Sequence, residues 1–162
     1  DIKVKLEGSG YVGEKYIGIA GVRDPYTIKH IDDVIEFARN HVKKEFAGID
    51  YELHFHIFGK NGVMGDLEPI KEITSHELGI VVEGVTDDKV TAEELTLFAS
   101  RQIFYAQLPD VKGTAGTASF LVDDVLYAGK TYKWTMNHTV AVKDPLELFD
   151  VRIEDVNAPL SV

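Results

Sequence analysis

Residues 15–25, KYIGIAGVRDP, join a short apolar segment rich in glycine and β-branched residues to an Asp-Pro pair. The apolar segment predicts a strand that is covered on at least one face. Asp is a preferred helix N-cap and Pro suits the first helical position, so we expect a helix to begin at Asp24 and Pro25. This stretch therefore predicts a strand that leads directly into a helix.

The predicted helix continues as an amphipathic segment. Its apolar side chains recur at spacings of three and four residues, which places them on one helical face. They are Ile28, Ile31, Ile35, Ala38, Val42 and Phe46. Gly48 follows the last of them and is suited to end the helix.

Residues 51–58, YELHFHIF, alternate with the period of two that is typical of a strand with one buried face. The face toward the helices should carry Tyr51, Leu53, Phe55 and Ile57. The opposite face of the sheet should carry Glu52, His54, His56 and Phe58.

A second strand and helix follow the long connection 59–77. Residues 78–85, LGIVVEGV, predict a strand, and Thr91 with Glu94 three residues later matches a capping box at the start of a helix. The apolar stripe of this second helix consists of Leu95, Phe98, Ala99, Ile103 and Ala106.

The C-terminal third contains one clear strand. Residues 131–142, TYKWTMNHTVAV, alternate in strand fashion, whereas residues 111–128 are compatible with strand or loop. The resulting order predicts an α+β fold, a ferredoxin-like two-layer sandwich (βαββαβ) with both helices on one sheet face. The first eight residues would be an extra N-terminal segment, and the chain after Asp144 a C-terminal extension.

Composition sets the class of protein. The 162 residues suffice for one hydrophobic core, so we expect residues 1–162 to form a single domain. The start without Met favours the C-terminal domain or subunit of a larger protein.

A net charge of −10 argues against nucleic acid as a partner, and the sequence has no apolar run long enough for a membrane span. We expect a cytoplasmic location and no cofactor, and the absence of cysteine excludes disulfides and thiolate chemistry.

Five segments of the chain resemble a known family. They are AGVRDP (20–25), YELHFHIFGKNGVMG (51–65), HELGIVVE (76–83), TAG (114–116) and DPLELF (144–149). In this order they are similar to the C-terminal portion of acyclic terpene utilisation AtuA family proteins. The resemblance implies a domain that is attached to, or works beside, a larger N-terminal domain of undefined chemistry. It implies no catalytic residue in this chain.

His54 and His56 are weak metal-site candidates. Residues two apart on a strand share a face, so both imidazoles can approach one ion, but two ligands do not make a zinc site. A third ligand would have to be Glu52, a residue of the 59–77 connection such as His76 or Glu77, or a group from another subunit. The alternatives are ordinary sheet-surface histidines, interface residues together with Glu52, or a pH-sensitive role.

The connection 59–77 offers a second candidate site. Lys60, with the backbone N–H groups of Asn61 and Gly62 in a glycine-rich turn, suits an anion, although the same glycines also suit a tight turn. His76 and Glu77 are candidate acid–base groups. As neighbours entering a strand they point to opposite faces, so they are a poor pair with one another.

The leading hypothesis is an accessory or assembly domain of an AtuA-family protein that packs on a larger domain and supports a homo-oligomer. We do not expect it to be catalytic alone. The alternative is a contributory subunit of an enzyme acting on an anionic acyl or acyl-thioester substrate, with the 59–77 connection at the site. A small-molecule-binding regulatory module is a third hypothesis, by analogy with the fold.

Overall fold

The structure, a computed structural model, describes residues 2–110, 118–122, 124–144, 146–153 and 155. Its first element, strand β1 (Ile2–Val22), is 21 residues long and includes the segment predicted to be extra. Glycines in this strand allow close neighbours and do not mark a turn. A Cβ added at Gly8 would lie 2.9 Å from Thr135 Oγ1, and one at Gly13 would lie 2.2 Å from the Thr86 carbonyl oxygen.

The first predicted helix forms in two pieces. Asp24 is the N-cap, as predicted, and its carboxylate accepts a hydrogen bond from the Thr27 backbone N–H at 2.7 Å. Helix α1 (Pro25–Lys29) is followed by His30, which is its C-cap, and helix α2 (Ile31–Glu45) begins at the next residue. All six residues of the predicted stripe are buried, so the amphipathic pattern is confirmed although the helix is interrupted.

Strands β2 (Glu52–Phe58) and β3 (Leu78–Thr86) pair in antiparallel fashion and match the predicted strands within one residue. Leu53 and Ile57 of β2 are buried, as are Ile80 and other alternate residues of β3. Because their side chains belong to the same buried cluster as those of α2, the helices cover this face of the sheet.

Helix α3 (Lys89–Tyr105) begins earlier than predicted. Its N-cap is Asp88, whose carboxylate accepts hydrogen bonds from the backbone N–H and the hydroxyl of Thr91. The predicted capping box starting at Thr91 is therefore wrong, because Thr91 already lies in the first turn. The predicted apolar stripe is buried at Leu95, Ala99 and Ile103.

The sheet overturns the predicted fold. It contains the short strand β4 (Ala118–Phe120) and the 17-residue strand β5 (Leu126–Val142). Within the described residues its order is β2-β3-β1-β4, and β5 also pairs with β1. The ferredoxin-like βαββαβ prediction is wrong, because the described residues form a five-stranded sheet and not a four-stranded one. The strand predicted at 131–142 is the C-terminal part of β5, which pairs with β1. Of the undecided segment 111–128, residues 111–117 lie outside the described part.

The chain divides into two compact units, Tyr11–Tyr132 and Asp1–Gly10 with Lys133–Val162. The first unit contains the buried cluster that joins α1, α2 and α3 to the sheet, with Ile31 and Leu95 fully inaccessible. The second unit contains the N-terminal part of β1 and the C-terminal part of β5, where the Trp134 side chain is 69% exposed. No helix in the described residues is long and apolar enough to cross a membrane.

Candidate functional site

The outer face of the sheet in the unit Tyr11–Tyr132, the face opposite the helices, carries the predicted histidine pair. Leu53 and Ile57 are buried, whereas His54 is exposed and His56 is half-buried. The strand register places His54 directly opposite Glu83 of β3. The prediction that the two histidines lie on the face away from the helices is therefore confirmed.

Five polar side chains from three strands form what we call the outer-face cluster: Lys15, Glu52, His54, His56 and Glu83. Lys15 Nζ lies 2.8 Å from Glu83 Oε1, and His56 Nε2 lies 3.5 Å from Glu83 Oε2. His54 Nε2 lies 3.9 Å from Glu52 Oε2, and the two imidazole ring centres are 6.2 Å apart. The cluster therefore alternates acidic and basic groups across β1, β3 and β2.

Glu83 is the electrostatic centre of this cluster. Burial raises the pKa of Glu83, but the hydrogen bond and charge of Lys15, with His56 and His54 nearby, outweigh burial and hold it below the ordinary value of 4.5. A carboxylate stabilised in its ionised form by a lysine is a weak proton acceptor at neutral pH. The arrangement thus suits a fixed charge pair better than acid–base catalysis.

A metal site at His54 and His56 would require further ligands close to both rings. Among the residues that the structure describes, no group of three or more His, Asp or Glu side chains is placed to hold a metal ion. Each histidine instead lies beside a different carboxylate: His54 is near Glu52, and His56 is near Glu83.

Apolar side chains lie beside the cluster on the same face. Tyr16 of β1 is buried on the helix side, so its neighbour Ile17, and Ile19 two residues further, project to the outer side, where both are half-buried. Val81 of β3 lies opposite Ile19 and is also half-buried, and Phe58 at the end of β2 is 45% exposed. We call these apolar residues together with the outer-face cluster the outer sheet patch.

The glycine-rich turn after β2 is closed by a single carbonyl group. The Ile57 oxygen accepts hydrogen bonds from the N–H groups of Lys60, Asn61 and Gly62 at 3.2, 3.1 and 2.8 Å. The donors predicted to hold an anion at Asn61 and Gly62 are therefore engaged inside the turn. Gly59 adopts a φ of +92°, the left-handed conformation that glycine permits.

A cleft of about 660 Å³ lies beside this turn. We call it the basic cleft, because its lining includes Arg23, Lys29, Lys60, Lys71 and His76. Lys60 forms an ion pair with Asp32 of α2, and only 17% of the Lys60 side chain is exposed. The lysine is thus held at the wall of the cleft, while the Asp32 side chain is 77% exposed.

The structure separates the candidate acid–base residues. Lys60 and His76 both line the basic cleft, whereas the exposed Glu77 is outside its lining. Glu68 lines an adjoining cavity of about 320 Å³, where its Oε1 accepts the Ile70 N–H at 3.0 Å. The 59–77 connection therefore places the Lys60 ammonium group and the His76 imidazole in one cleft. Glu77 does not join His76 there, so the two do not form an acid–base pair in the cleft.

Sequence reasoning assigned none of Lys15, Lys29, Lys71 and Glu83 to these two surfaces. The sequence pattern could have indicated Glu83, since it is the one charged residue in the apolar segment 78–85 and the strand alternation places it on the outer face. Lys15 pairs with it only through the register of β1 and β3. Lys29 and Lys71 are 42 residues apart in the sequence and meet at the cleft only after folding.

No protein-family model matches this chain, and no curated protein or solved structure shows significant similarity to it. The resemblance to the C-terminal portion of AtuA family proteins therefore stays a prediction.

Proposed function

We propose that this chain is an accessory or assembly domain, of the kind that the resemblance to AtuA family proteins implies, which packs on a larger domain and supports oligomerisation. One observation carries the proposal. The outer sheet patch combines half-buried Ile17, Ile19 and Val81 with an organised charge cluster on the sheet face opposite the described helices. Exposed apolar patches that are bordered by polar residues are typical of protein contact surfaces.

A second copy of this chain is the partner that the charges favour. The patch carries cationic Lys15 and two imidazoles beside anionic Glu52 and Glu83. A two-fold interface needs a self-complementary surface, and a patch with both signs of charge meets that requirement. The edge strand β2 is less suited to this contact than the face, because Arg39 donates a hydrogen bond to its Leu53 carbonyl and places a charge there.

The test is sedimentation velocity at rising concentration, with Val81→Lys at the centre of the patch. We expect the wild type to form a dimer and the variant to remain monomeric, because a lysine there places an unpaired charge in the contact. The control is Val90→Lys, at an exposed valine in the first turn of α3. It should dimerise like the wild type, and circular dichroism should show that both variants are folded.

A wild type that stays monomeric at every concentration would reject the second copy as partner. If a larger domain bound the wild type and the Val81→Lys variant equally well, the outer sheet patch would be ruled out as a contact surface. The histidines give a further readout, because burying a protonated imidazole costs solvation energy. We expect the dimer to weaken between pH 7.5 and 5.5, and a flat response would place His54 and His56 outside the contact.

The second candidate function is a contributory subunit of an enzyme acting on an anionic acyl or acyl-thioester substrate. The observation in its favour is that Lys60 and His76 line one cleft. His76→Gln should then lower the turnover of the complex formed with the catalytic partner, whereas Glu77→Gln should not. Unchanged turnover with His76→Gln and with Lys60→Gln would remove this candidate.

A further inference from the structure

A strongly acidic chain concentrates cations at one cleft. Arg23 and Lys29 come from the start of the helical region, Lys60 from the turn after β2, and Lys71 and His76 from the connection to β3. Three separate stretches of the chain therefore converge on the basic cleft. Like charges brought together repel one another, and an anion bound between them removes that cost.

The carboxylates in the lining do not cancel this charge. Asp32 and Glu72 face four permanent cations, which leaves a local excess of two positive charges in a chain whose net charge is −10. Lys60 is already engaged in an ion pair with Asp32, and the Asp32 side chain is mostly exposed. Because the Asp32 carboxylate is largely in solvent, an anion in the cleft can compete with it for the lysine.

Gly59 allows two segments that line the cleft to approach closely. A Cβ at this position would lie 3.0 Å from Ser75 Oγ and 2.9 Å from Leu78 Cδ2. The turn that carries Lys60 is therefore in close contact with the segment that carries His76. The spacing between these two cleft residues is set by the packing of the loop and not by side-chain flexibility alone.

The remaining wall of the cleft is apolar. Pro25, Ile28 and Ile73 line it, and Ile28 is buried while Ile73 packs against the core. A volume of about 660 Å³ is within the range of small-molecule sites. The lining thus fits a ligand with an anionic head and a short apolar portion.

We propose that the basic cleft binds a small organic oxyanion, with its phosphate or carboxylate head at Lys60, Lys71 and Arg23 and its apolar portion against Ile28 and Ile73. This binding is independent of the assembly through the outer sheet patch. It also requires no catalysis. It predicts that the isolated chain binds the oxyanion, whereas the enzyme candidate predicts turnover by the complex with a catalytic partner.

The test uses inorganic phosphate, n-butyl phosphate and butyrate as probes in calorimetric titrations at low salt. We expect n-butyl phosphate to bind at least about threefold more tightly than inorganic phosphate, because its chain contacts the apolar wall. The comparison with butyrate identifies the preferred head group. The double variant Lys60→Gln/Lys71→Gln should weaken binding by about tenfold or more.

Two controls separate the site from general charge effects. Lys43→Gln/Lys44→Gln removes the same charge from the exposed end of α2 and should bind like the wild type. Asp32→Asn should strengthen binding, because it releases Lys60, whereas a purely structural ion pair would give no gain. Failure of all three probes to bind the wild type, or equal loss in both double-lysine variants, would overturn the proposal. The Val81→Lys variant should bind normally, so this result does not depend on assembly.

Discussion

Arg39 of α2 donates a hydrogen bond from Nη1 to the carbonyl oxygen of Leu53 in β2, at 3.1 Å. The same guanidinium lies over the ring of Phe55, 4.9 Å from its centre. Strand β2 is at one edge of the sheet, where unpaired backbone groups can pair with another chain. Arg39 thus satisfies an edge carbonyl and places a charge beside it.

We therefore expect Arg39→Met to expose the edge of β2. The loss of the hydrogen bond and of the ring contact should lower the free energy of unfolding by about 1 kcal/mol. Aggregation during mild heating should increase, as light scattering would reveal. Lys43→Met, one turn later on the same helix, is the control and should change neither property. Equal aggregation of the two variants would show that Arg39 does not protect the edge.

The ion pair between Lys15 and Glu83 makes a prediction about pH. The pKa of Glu83 is lowered in the folded protein, so the stability it contributes is present above its ordinary value of 4.5 and is lost as pH falls through the folded value. Lys15→Met should raise the pKa of Glu83, because burial then acts with less opposition. Carboxyl-carbon NMR titration measures this directly. A Glu83 titration identical in both proteins would contradict the role of Lys15.

Tyr127 makes the corresponding prediction at high pH. The hydrogen bond to Glu14, followed by burial and the Glu14 charge, raises the pKa of Tyr127 to about 12. Its stabilising contribution is therefore present below the ordinary value of 10 and is lost as pH rises through about 12. In an absorbance titration of the phenols, Glu14→Gln should lower the pKa of Tyr127 and also that of Tyr11, because both hydroxyls donate to Glu14. Glu94→Gln should leave the curve unchanged, and no shift with Glu14→Gln would disprove the coupling.

Helix α3 approaches the sheet closely at two glycines. A Cβ on Gly84 would lie 2.2 Å from Thr96 Oγ1, and one on Gly18 would lie 2.2 Å from Ser100 Oγ. Both hydroxyls are buried and donate to backbone carbonyls one turn earlier in the helix. These glycines therefore set the distance between helix and sheet.

Gly84→Ala should destabilise the protein by about 1–3 kcal/mol, as overpacking does. With Thr96→Ala already present, the same substitution should cost less, and a double-mutant cycle from urea unfolding measures the difference. Gly79→Ala in the same strand is the matched control, because its Cβ would meet Phe58 Cβ at an ordinary 3.8 Å. Additive effects of Gly84→Ala and Thr96→Ala would rule out the steric explanation.

Local pattern was sufficient for several features. The alternation of residues 51–58 predicted which side of β2 is buried, and the spacing from Ile28 to Phe46 predicted the buried stripe. Asp24 was predicted as an N-cap from residue type alone. Each of these depends on interactions within a few residues of sequence, which is why pattern is enough.

The fold was mispredicted where distant contacts decide. The sequence predicted a strand at 15–22 after an extra segment, whereas β1 runs from Ile2 to Val22 because it pairs with strands from distant parts of the chain, β3 and β5. The start of α3 was mispredicted for a local reason: Asp88 and Thr91 are both good caps, and the helix begins at Lys89.

From its amino acids alone the chain specifies an acidic protein without cysteine, amphipathic helices, and a strand with its histidines on one face. Folding adds the neighbours of those residues: Glu83 and Lys15 beside His56, and Lys29 and Lys71 beside Lys60. Side-chain direction depends on backbone geometry repeated every two to four residues, so it can be inferred from the order of residues. Strand register and loop position depend on contacts between residues far apart in the chain, so the outer sheet patch and the basic cleft exist only in three dimensions.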